Sequence, residues 1–365
     1  MAMISRLALS LLLLIVTVLP TLAQDRSVNF YNWTDYIDPT VLQRFEHETG
    51  IHVRYDVYDS LETLEAKLLA GHSGYDVVVP TSEPTFSRLV RAHALEPLDK
   101  AKIPNLANLD PVQMKQVASS DPGNRFGAIY LWGTTGLGYN AARVEALAPD
   151  APRDSWALLL NPENAKRLAP CGITILDSAI DVVPVVLRWL GRDPNSTDPK
   201  DLAAVEAALH AIRPYVRGFV GGGAVEQLAS GETCLALDYS GDVIQAATRA
   251  KAAGKGVTVR YAAPREGAQL AFDMLAVPAD APHKEDAMAL INFLLRPDVM
   301  AAITNKVRYP NAVPASKAKI DPAILNDPSI YPPAAARAHF FTVGPVPPEV
   351  ARARSRMWLR LKAGG

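Results

Sequence analysis

An alternation of strand-like and helix-like segments between Val28 and Pro80 constrains the fold of this chain more than any other feature. Val28 to Tyr31 read as a buried strand, and Pro39 to Thr49 as a helix that Gly50 stops. Ile51 to Val57 alternate as a second strand. Leu61 to Ala70 then place Leu61, Leu64, Leu68 and Leu69 on one helical face ahead of Gly71. Tyr75 to Pro80 form a continuous apolar run, the pattern of a strand covered on both faces. This βαβαβ order predicts a doubly wound α/β unit, which places ligands at the C-terminal ends of its strands.

Those ends carry chemistry. Trp33, Thr34, Asp35 and Tyr36 follow the first strand, before Asp38-Pro39 opens a helix. Two flat π faces around a carboxylate suit an organic cation. Alone, the same residues also fit a turn whose aromatics pack inward and whose Asp caps a helix. Thr81, Ser82 and Glu83 end the third strand. Farther along, Asp177 with Asp181, Tyr239 with Asp242, and Phe272-Asp273 each follow or interrupt an apolar run, and a conspicuous Tyr309 comes later. Asp181 and Asp242 also fit first-turn positions of helices. Asp273 is harder to absorb as a cap. It interrupts a strand of Leu, Ala, Phe, Met and Leu, so its carboxylate must be paired or meet a cation.

Between these ends the segments continue to alternate. Phe126 to Asn140 read as strand pieces broken by Gly133, Gly136 and Gly138, with Thr134 to Tyr139 as a first crossing between lobes. Ser155 to Leu168 read as helical, and Leu270 to Pro278 as the strand that crosses back. From Tyr309 to Pro333 the chain is Pro-rich and irregular, and Pro347 to Leu361 form a basic helix. The chain has 365 residues, enough for two lobes.

Arg6, the apolar run Leu7 to Leu19 and the small residues Thr21 and Ala23 predict a cleaved export signal over residues 1–23. The run is too short to favour a membrane span, so no membrane insertion is expected after cleavage. The formal net charge is −1, and removal of Arg6 leaves −2. That balance argues against nucleic acid or an anionic membrane surface as a partner. An even cysteine count in an exported chain predicts a Cys171–Cys234 disulfide. Closing that loop stabilises by roughly 3–5 kcal/mol on the chain-entropy view.

Enzyme signatures fail. Gly71-His72-Ser73-Gly74-Tyr75 has Tyr75 where a nucleophile elbow needs Gly. His47-Glu48 is followed by His52, one residue beyond a zinc pair. Gly133 to Gly138 have no Lys-Ser/Thr after them, so they are no phosphate loop. No Cys–His pair offers thiolate catalysis. No catalytic residue, cofactor or metal is expected.

The chain resembles the periplasmic polyamine-binding proteins of ABC importers, and most of all their putrescine-binding type. The resemblance rests on Tyr31 to Ile37, on Glu48-Thr49-Gly50-Ile51 with Tyr55-Asp56-Val57, and on Asp76 to Pro80. It continues in Trp132 with Thr134 to Asn140, Asp193 to Thr197, Leu294 to Val299 and Ile330 to Pro333. It implies the two-lobed α/β fold of type II periplasmic solute-binding proteins, with hinge-linked lobes around a cleft. The expected division is 24–135 plus 258–305 for the first lobe and 136–257 plus 306–365 for the second. By position it implies a ligand box of Trp33, Thr34, Asp35, Tyr36, Thr81, Asp181, Tyr239, Asp242, Asp273 and Tyr309. Cys171 and Cys234 match the family's disulfide. A monomer that hands a polyamine to a membrane permease is the expectation. Tyr239, Asp181 and Ala271 stand where the family often has Trp, Glu and Phe, and Glu83-Pro84 replace a small polar residue and an aromatic. Ligand class is therefore more firmly implied than ligand length. Alternatives are spermidine, agmatine or another cationic solute, or an exported Asp-dependent hydrolase.

Overall fold

The computed structural model describes residues 26–221 and 224–364. The expected export signal, 1–23, lies outside the described residues.

The opening alternation folds as read. β1 (Ser27–Trp33) lies parallel between β2 (His52–Tyr58) and β3 (Val77–Val78). The helix Pro39–Thr49 starts with Pro at its first turn, where its missing N–H is no loss, and ends on Gly50 at φ 70°. Only Val77 and Val78 of the apolar run join the ladder. The remaining runs give β4 (Leu95–Glu96), β5 (Gly127–Asn140), β6 (Ile173–Leu176), β7 (Gly218–Val220), β8 (Leu235–Tyr239), β9 (Val259–Ala262) and β10 (Gln269–Pro278). The main sheet runs β2-β1-β3-β10-β5-β8-β6-β7, with β4 beside β10 and β9 beside β5.

Two long strands make this one sheet rather than two. The glycine-interrupted pieces expected over 126–140 are a single strand of 14 residues. Its first half, Gly127 to Thr135, pairs with β10, and Thr135 to Tyr139 pair with β8. The strand thus changes partner near Thr134–Thr135, where the chain passes from one core to the other. On one side, Val28 to Trp132 and Phe272 to Val313 share a buried core. On the other, Leu137 to Leu237 share a core with Met357, Trp358 and Leu361 of the helix Pro348–Ala363.

Packing departs from the expected lobe division in two places. Val307, Tyr309, Ala312 and Val313 pack into the first core, because a bridge of Leu131 to Asn311 and the bonds from the Asn311 amide to Met300 and Thr304 hold this stretch there. β9 pairs with the far half of β5, and Val259 packs with the second side. The helical stretch expected over 155–168 is two helices, Ala157–Leu160 and Pro162–Leu168, since Pro162 restarts the helix. Cys171 and Cys234 form the expected disulfide, with Cα atoms 5.5 Å apart.

Candidate functional site

The C-terminal ends of β1, β6 and β8 and the middle of β5 and β10 open onto one cleft. Trp33, Thr34, Tyr36, Thr81, Asp181, Tyr239, Asp242, Asp273 and Tyr309 all line it. Asp35 does not. It sits in the left-handed region at φ 55°, and its Oδ2 accepts a 2.8 Å hydrogen bond from Arg249, a residue of the opposite side of the cleft. The turn that delivers Trp33, Thr34 and Tyr36 to the cleft therefore turns Asp35 outward.

Each wall has a physical origin. The Trp33 indole donates Nε1–H to the Val79 carbonyl at 3.0 Å and packs on Tyr58, with ring centres 4.7 Å apart. It also meets Tyr239 edge-on at 6.4 Å. Tyr36 and Tyr309 form a second edge-to-face pair at 4.8 Å. Tyr309 fits only because its neighbours lack side chains. A Cβ on Gly241 would lie 1.9 Å from its ring, and one on Gly133 would lie 2.9 Å away.

The carboxylates are held by hydroxyl and amide donors rather than by cationic side chains. The register of β10 against β5 slips between Phe272 and Met274, a bulge that re-aims Asp273. Asp273 accepts from the Tyr36 hydroxyl at 2.5 Å and the Thr81 hydroxyl at 2.6 Å. Asp181 accepts from Ser178 at 2.6 Å, Tyr239 at 2.8 Å and the Gln269 amide at 2.9 Å. Asp242 accepts from Tyr309 at 3.0 Å. Burial pushes Asp242 and Asp273 up to about 6, partly offset by these hydroxyls. Burial likewise raises Asp181. Among the described residues no Lys or Arg lines the cleft, and Arg249, which pairs with Asp35, offsets only part of the rise at Asp242.

Sequence reasoning missed several lining residues: Tyr58, Asp59, Thr134, Thr135 and above all Asp238. Asp238 is buried, accepts from the Tyr239 backbone N–H at 2.8 Å, and is raised by burial and by the Asp242 charge. The signal was its position beside Tyr239 at a strand end; strand alternation suggests that only one of two neighbours faces a site. Glu83 points elsewhere. One oxygen accepts from Ser87 at 2.5 Å, the other has no partner among the described residues, and the side chain lines a small polar cavity that shares Ala271 with the cleft. Glu83 is not among the residues that line the main cleft. Among the described residues no cluster of three His, Cys, Asp or Glu side chains could hold a metal ion.

Comparison with known proteins places this geometry. Residues 40–332 match the family of bacterial extracellular solute-binding proteins. The putrescine-binding periplasmic protein SpuD of Pseudomonas aeruginosa is 46% identical over 343 residues, 94% of this chain and 93% of that protein. The putrescine-binding periplasmic protein PotF of Escherichia coli is 44% identical over 354 residues, 96% of this chain and 95% of that one. Among solved structures, the spermidine/putrescine ABC transporter substrate-binding protein PotD of Streptococcus pneumoniae superposes with a TM-score of 0.75 at 28% identity, over 93% of this chain and 99% of that chain. With the match spanning both halves of the sheet and the cleft between them, the chain belongs to the bacterial extracellular solute-binding protein family.

Proposed function

We propose that the protein is a periplasmic receptor that captures a linear diamine, putrescine first, and delivers it to an ABC permease. One observation carries this reading. Asp181, Asp242 and Asp273 converge on a cleft walled by Trp33, Tyr36, Tyr239 and Tyr309, with no Lys or Arg among its described lining residues. Ammonium ends satisfy the carboxylates, and the methylene chain between them lies along aromatic faces, where burial contributes about 0.8 kcal/mol per CH2. Without a cation, closing the cleft presses carboxylates together in a dry space. Ligand thus favours the closed form by differential affinity. The lobes that close are 26–133 with 269–331, and 136–262 with 340–364, hinged on β5 and β10. The relatives SpuD and PotF, putrescine-binding periplasmic proteins, support reading the carboxylates as ligand contacts rather than as an acid–base pair.

The test is calorimetry of ligand-free protein with putrescine, cadaverine, agmatine and spermidine in parallel. Putrescine should bind most tightly. Spermidine binding about tenfold tighter, a difference of about 1.4 kcal/mol, would reverse the order, and silence from all four would remove the polyamine reading.

A further inference from the structure

A second, larger concavity lies where the two sides of the molecule meet, outside the diamine cleft. One wall is the helix Leu61–Leu69 with the helix Ser87–Arg91; the other is the start of the helix Ala179–Trp189, the strap 343–347 and the helix Pro348–Ala363. Because the walls come from both lobes, the groove is complete only while the lobes stand together, as they do here, with Arg249 paired to Asp35 across them.

The groove is basic. Arg88, Arg91, Arg352, Arg354 and Arg356 line it, against Glu62 and Glu65. Glu65 is already engaged by Arg88. None of the ion pairs among the described residues involves the other four arginines. Three of them are exposed. Arg354 is only 8% exposed, and its guanidinium donates to the Ser196 carbonyl at 2.9 Å. Burial lowers its pKa; Asp198 and Glu349 line a neighbouring cavity with it and with Ser196 but form no ion pair with it. A buried, uncompensated cation is expensive unless an anion reaches it. Leu359, 64% exposed, and Leu69, 52% exposed, add apolar surface to the same groove.

We propose that this groove docks an acidic segment of the importer's membrane permease, with a carboxylate reaching Arg354. The charge, the depth of one arginine and the apolar flanks suit a carboxylate-bearing peptide better than a small free anion. Since both lobes build the site, docking reports the closed, loaded state. The proposal rests on the importer reading above, and the experiment separates the two.

Two variants serve: Arg352→Glu with Arg356→Glu, both exposed, and Arg354→Met, with its thermal unfolding checked beside it. Putrescine affinity is measured by calorimetry. Docking is measured as ATP hydrolysis by the permease and its ATPase in proteoliposomes, against the concentration of loaded binding protein. Putrescine affinity should be unchanged, while the concentration for half-maximal stimulation rises about tenfold or more in the double variant and the wild-type response weakens with salt. Unchanged stimulation by the double variant overturns the proposal, even where Arg354→Met fails to fold. Wild-type co-sedimentation with phosphatidylglycerol vesicles that the double variant loses, with or without putrescine, overturns it in favour of a lipid surface. A wild-type protein that binds no putrescine overturns the functional reading instead, and takes this proposal with it.

Discussion

Asp273 was the most legible single residue of the cleft, because a carboxylate inside Leu-Ala-Phe-Asp-Met-Leu has no bland explanation. The structure gives it two hydroxyl donors and leaves lone pairs for a cation. Asp273→Asn preserves shape and removes charge. Losing one charge-assisted contact should weaken putrescine binding by roughly 1.5–3 kcal/mol, and an unchanged calorimetric affinity would take Asp273 out of the site. Asp35 was the opposite case. Its place between Trp33 and Tyr36 suggested the cleft, yet a single left-handed residue reverses the chain there and sends it to Arg249. No residue pattern signals that φ, since Asp enters the left-handed region only occasionally. Asp238 was missed for a related reason: alternation along β8 assigns neighbours to opposite faces, and the end of the strand escapes that rule.

At the scale of elements, apolar runs and their Pro and Gly boundaries located the strands and helices that build the cleft. What they could not show was which glycines break a strand and which merely allow close approach. Gly133, Gly136 and Gly138 read as interruptions of 126–140, yet all three lie inside β5. Gly133 faces the Tyr309 ring, and a Cβ on Gly136 would meet the Tyr261 hydroxyl at 2.4 Å. Those neighbours are distant in sequence, so the local pattern carried no trace of them. Gly241 in the helix Ser240–Ala253 is the sharpest instance. Gly241→Ala would drive a methyl into the Tyr309 ring, with backbone on one side and a packed aromatic on the other. We expect a stability loss of about 1–3 kcal/mol from overpacking. Putrescine affinity should also fall, because displacing Tyr309 removes the hydroxyl that holds Asp242. Chemical denaturation and calorimetry of the variant check both, and a variant of wild-type stability and affinity would show that the ring moves freely.

For the whole molecule, the cleft couples proton binding to ligand binding with opposite signs. Asp242 and Asp273 are held at about 6 against an ordinary 3.8, so the ligand-free fold binds their protons more tightly than the unfolded chain does. Their contribution to stability is therefore fully present below about pH 4 and is lost as pH rises through about 6. Asp181 and Asp238 are shifted in the same direction and add to it. Surface carboxylates held low by their partners, Glu48 by Arg44 and Arg296 and Asp201 by the Ser196 hydroxyl and Arg192, respond the other way, so total stability is not the clean readout. The difference between the wild type and Asp242→Asn with Asp273→Asn is. Ligand-free, the double variant should gain melting temperature over the wild type at pH 7.5, and that gain should shrink towards pH 5. Putrescine affinity should do the reverse in the wild type. The diamine stays doubly protonated throughout, whereas the carboxylates that meet it are ionised above about 6 and increasingly protonated below. Calorimetry from pH 7.5 to pH 5 should show progressive weakening, and the double variant should show weak binding with a much flatter pH response. A wild-type affinity that stays level across that range would mean that the cleft carboxylates do not carry the ligand's charge.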